Sequence, residues 1–172
     1  MDYHLSLFIM SILVFVSYVG AVWIKFGVQP SISASYDCWK GLWQSLFTLF
    51  CWGFAFPAMI IGVEVTPLMF FATAGIMLVG AAYQIKNPWV YRHHMVFAIS
   101  GIIFSQLAIY FGYDLLWLNI VCVALTALIL LAKQFLGLKN HFWWMELVYF
   151  AAIVYAMGTK IFPQLYLTTF LF

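Results

Sequence analysis

Glu146, His94 and the hydroxyl groups of Ser31, Ser33 and Ser35 are the residues of this chain whose types suit chemistry. A carboxylate, an imidazole and a hydroxyl can hold a polar head group, pass a proton or activate a nucleophile. Glu146 and His94 stand out because both fall within long apolar stretches, where an ionisable group is costly and usually faces a cavity or a partner. A Glu146–His94 pair with Ser31, Ser33, Tyr36 and Gln44 around it is therefore the expected polar pocket. Read as structure alone, the same pair is a hydrogen-bonded lock between two helices.

Other chemistries find less support. His93 and His94 are adjacent and would point about 100° apart on a helix, so they do not easily share one ion. Neither H-x-x-x-H nor H-E-x-x-H occurs, and no metal or other cofactor is expected. There is no G-x-S-x-G, and turn or capping duties account for the serines, so no catalytic residue is assigned and enzymatic activity is left open. A glycine-rich phosphate loop is absent, and no helix bears the repeated charges of an ion pathway, which disfavours transport.

The elements that must position these residues are six apolar runs, at about 5–25, 42–62, 67–86, 94–112, 115–135 and 142–162. A run of roughly 20 apolar residues crosses the hydrocarbon as a helix. Hydrophobic residues make up 67% of the chain and charged ones 7%, against roughly 25% charged in a soluble domain. The expected fold is all-α: one domain over 1–172, an integral membrane bundle of six transmembrane helices. A β-barrel would need alternating polarity, and Leu125 to Leu131 is apolar on every side.

Basic residues sit in alternate gaps: Lys25 and Lys40, then Lys86 and Arg92, then Lys133 and Lys139, with Glu64 and Asp114 in the gaps between. Basic loops stay in the cytoplasm, which places both termini on the non-cytoplasmic side and suggests a bacterial inner membrane; Lys160 departs from the pattern. The first run lacks a basic leader and an A-x-A site and reads as a retained helix. A net charge of +2 is too small to imply nucleic acid. Trp23, Trp39, Trp43, Trp89, Tyr91, Tyr113, Trp143, Trp144 and Tyr166 fall near predicted helix ends, as an aromatic belt would. Cys38, Cys51 and Cys122 offer no pair to an oxidising compartment.

Helix-spaced small or polar residues mark inward faces: His94, Ala98, Gly101, Ser105 and Ala108; Gln44, Thr48, Cys51 and Ala55; Asn119, Cys122, Thr126 and Lys133. Pro30-Ser31-Ile32-Ser33 with Tyr36, a following basic residue and the second helix resembles a group of uncharacterised bacterial polytopic membrane proteins with a P-S-I-S-x-x-Y element. His94 opening the fourth helix, and Phe142-Trp143 to Glu146 to Lys160, are similar to that group's later helices. More distantly, the serines and His94 resemble the alkaline ceramidase and progestin/adiponectin-receptor-like membrane hydrolases. That resemblance implies a seven-helix metal hydrolase; here Glu146 stands where the closing histidines would be sought, and there are six runs.

The functional expectation is a protein binding a lipid or other amphipathic molecule in a cytoplasm-facing polar pocket. Its partners would be membrane lipids, with a homo- or hetero-oligomer possible. The alternatives are a structural or partner subunit of a membrane complex and a lipid-directed hydrolase.

Overall fold

In hydrocarbon an unpaired backbone N–H or C=O is costly, so a chain this apolar must satisfy its backbone within each segment. The computed structural model describes residues 3–82 and 88–163, without the side chains of 88–92, and it has no strand among them. The helices are α1 (Tyr3–Phe26), α2 (Ser45–Val63), α3 (Leu68–Ala82), α4 (Pro88–Phe111), α5 (Leu116–Leu136) and α6 (His141–Ile161). Five of them are long and apolar enough to cross a membrane, which makes this a helical membrane protein. The described part of α3 is shorter, 15 residues and about 22 Å of rise.

Several boundaries differ from the sequence reading for identifiable reasons. α4 begins at Pro88 rather than near residue 94, because proline suits a first helical turn, where its missing N–H would have no intrahelical acceptor. Two 3-10 turns, Ser33–Cys38 and Gly41–Gln44, delay α2 to Ser45. The loop hydroxyls do not cap α2, whose start has no side-chain cap. Ser31 Oγ instead accepts the Ala34 N–H at 2.9 Å, holding the loop's own first turn. His141, which lies just before the expected sixth run at 142–162, opens α6 and is buried. Residues 83–86 of the expected third helix and the tail beyond Pro163 lie outside the described residues.

The aromatic belt is also incomplete. Trp23 and Trp43 are exposed as expected, but Trp143, Trp39 and Tyr113 are buried. Trp39 lies edge-on to Phe26 at 4.9 Å, with Lys25 Nζ 4.8 Å from its ring. The loop before α2 therefore folds inward over the bundle end and takes its tryptophan with it.

α1 packs on α2 and α6, α3 lies between α2 and α4, and α6 reaches α1, α2, α4 and α5. Near one end His4 Nε2 is 3.0 Å from Glu64 Oε1, tying the start of α1 to the end of α2. Phe15, Phe54 and Phe150 cluster inside, with Tyr18 stacked on Phe50 at 4.5 Å. The α4 stripe turns inward as its residue sizes require: His94, Gly101, Ser105 and Ala108 are buried, and Gly101 lies against Gly75 of α3. On α5, Asn119 donates to the Gln106 carbonyl at 3.0 Å and Thr126 meets Tyr149 at 3.2 Å, but Lys133 is exposed and ends that face.

Candidate functional site

The loop from Gly27 to Gln44 builds the site. Gly27 and Gly41, at φ 74° and 59°, bracket it in the left-handed region that glycine enters without a steric penalty. Between them the chain folds back into the bundle, and three groups from the start of α6 hold it there. Asn140 Nδ2 donates to the Val28 carbonyl at 2.9 Å, and the Trp143 N–H donates to the Pro30 carbonyl at 3.2 Å. Glu146, the sixth residue of α6, accepts the Ile32 N–H on Oε2 and the Ser33 hydroxyl on Oε1, the latter at 3.4 Å. α1 adds a fourth contact: Tyr18 Oη lies 2.7 Å from Ser35 Oγ, which donates to the Ile32 carbonyl at 2.5 Å.

Behind this polar end lies a cavity among α2, α3, α4 and α6, with about 590 Å3 of empty space including its open mouth. Its walls are mainly apolar, among them Phe47, Phe50, Ile76, Val79, Phe97 and Phe150. Ile32, Ser33 and Glu146 line it from the loop and α6. On α6, Glu146, Tyr149, Phe150 and Ile153 share the wall at spacings of three, four and seven, one face of the helix. That periodicity was visible in the chain and would have identified Tyr149, Phe150 and Ile153 beside Glu146.

The expected residues therefore divide. Ser31 and Ser33 come together with Glu146, their hydroxyls 2.9 Å apart. Tyr36 is buried beside Phe47, with ring centres 6.3 Å apart, and is not among the cavity walls. Gln44 ends the second 3-10 turn, half-buried and likewise away from the walls. His94 is buried on α4 but is tied to the backbone of Val79 on α3. The expected Glu146–His94 pair is not formed: the carboxylate is engaged by the loop, and the imidazole is engaged by the neighbouring helix.

This arrangement suits binding better than nucleophilic catalysis. A nucleophile and its base ordinarily meet at roughly 2.6–3.2 Å with a third group orienting the base; Ser33 and Glu146 are 3.4 Å apart, and among the described residues no histidine lines the cavity. Burial, reinforced by Asp37, raises the Cys38 thiol above its ordinary range, so it carries little of the reactive thiolate at neutral pH. Its Sγ instead faces Gln29 Oε1 at 3.1 Å. Among the described residues no three His, Cys, Asp or Glu side chains converge as a metal would require. Comparison with family models, curated proteins and solved structures finds no match to this chain.

Proposed function

We propose that this protein binds a lipid or another amphipathic molecule, with the apolar chain between α2, α4 and α6 and the polar end at Glu146 and Ser33. The observation that carries this reading is one cavity with aromatic and aliphatic walls and a buried carboxylate at its end. Ligand sites are typically apolar clefts with a few convergent polar groups. A phospholipid analogue with a photoreactive group midway along its chain tests the idea in a nonionic detergent. Label is expected on peptides carrying Phe50, Phe97 and Phe150. Label confined to the outer faces of α1 and α5 would remove the pocket and leave a structural or partner-subunit role.

The proposal includes an orientation. Lys25, Lys40 and Lys139 flank the loop end of the bundle, which suits the cytoplasmic side of an inner membrane. Six crossings would place Glu64 and Asp114 on the same outer face. If α3 did not cross, these two residues would lie on opposite sides. Cysteines at Glu64 and Asp114, in a background without Cys38, Cys51 and Cys122, are expected to react from outside with an impermeant maleimide. Labelling of only one from that side would exclude six crossings.

A further inference from the structure

We infer that the cavity prefers amphiphiles with a cationic, hydrogen-bond-donating head, an alkylammonium in its simplest form, with Glu146 as the acceptor for that head. This rests on the amphiphile-binding reading and narrows it to one head-group charge.

The first argument is the unused capacity of the carboxylate. Its two oxygens offer about four acceptor positions. The Ile32 N–H, the Ser33 N–H and the Ser33 hydroxyl engage up to three of them, which leaves one position open, and Glu146 has no cationic partner among the described residues. The carboxylate also forms part of the cavity wall, so a donor arriving through the cavity can reach it.

The second argument is the lack of anything to receive an anion. Among the described residues no lysine, arginine or histidine lines the cavity. The wall hydroxyls are already engaged: Ser105 donates to the Ile102 carbonyl at 2.8 Å, Tyr149 pairs with Thr126, and Ser33 serves Glu146. An anionic head would meet a carboxylate and no charged donor, whereas an ammonium would supply both the missing charge and the missing donors. A neutral alcohol would supply a donor without the charge.

Competition against a photoreactive long-chain amine separates these claims, using dodecylamine, dodecanol and dodecanoate at pH 7 in nonionic micelles. Dodecylamine is expected to suppress labelling of cavity peptides at about one tenth the concentration of dodecanoate or less, with dodecanol between them, as a charge-assisted hydrogen bond implies. Glu146→Gln is expected to reduce the amine-to-carboxylate ratio to about threefold or less. The variant shares the same micelle, so partitioning cannot produce that change. Should the variant fail to fold, the ratio in the native protein decides alone. Equal suppression by amine and carboxylate would overturn the head-group inference and leave amphiphile binding standing. An absence of cavity labelling with every chain would overturn both.

Discussion

Glu146→Leu is expected to lower the stability of the folded protein by about 3 kcal/mol, and Glu146→Gln by about 1. Leucine fits an apolar wall and relieves the desolvation of a buried carboxylate, so part of the change is favourable. The Ile32 N–H is nevertheless left without its acceptor on a residue only 1% exposed, and the backbone cannot rotate away to find another. Ser33 suffers less, because its hydroxyl can turn to Ser31. Glutamine keeps a carbonyl oxygen for Ile32, which makes the gap between the two variants a measure of that one bond. Unfolding in mixed micelles measures both. A Glu146→Leu protein as stable as the native one would show that the carboxylate does not hold the loop. Adding His94→Gln to Glu146→Gln should be additive to within about 0.5 kcal/mol, since the two side chains have different partners.

Gly75→Ala should destabilise by about 2–3 kcal/mol, because overpacking here has no flexible neighbour to absorb it. A Cβ on Gly75 would stand 2.9 Å from Gly101 Cα and 2.9 Å from the Phe97 carbonyl oxygen, both backbone atoms of α4. The two helices would have to separate, and the α3 and α4 walls of the cavity would move with them. Gly101→Ala should cost less, near 1 kcal/mol, since its nearest obstacle is the Ala72 carbonyl at 3.3 Å. Gly20→Ala meets nothing within 4 Å and should be neutral or slightly stabilising through helix propensity. The test is the order of the three in thermal unfolding; Gly75→Ala as mild as Gly20→Ala would contradict the close approach of α3 and α4.

The α4 side of that contact was legible in the sequence, though its partner on α3 was not. Ala98, Gly101, Ser105 and Ala108 recur at helical spacing, and side-chain size and helical phase are local properties of the chain. The partner of Glu146 was not legible. Matching polar residues by depth and charge type led to His94, whereas the carboxylate meets a backbone N–H and a serine from the loop. Every residue but proline carries such an N–H, so the sequence contains no mark of which one is used. The same holds for the Trp143 N–H on Pro30. The glycines bracketing the loop could be seen as glycines, but their left-handed conformations could not. The inward path of the loop follows from contacts between segments more than a hundred residues apart, which no local pattern encodes.

Those separations also set an order of events in synthesis. Asn140 and Glu146 reach their loop partners across 112 and 114 residues. A ribosome adding about 5–20 residues per second needs roughly 6 to 23 seconds to cover that distance. Throughout that interval the loop exists without its α6 anchors, and Ile32 has only water or transient partners for its N–H. The first three helices can already associate, because their glycine contacts lie within the emerged chain. The cavity therefore acquires its floor last, and a nascent chain halted after α5 would present an open, hydrated cleft to the translocation machinery.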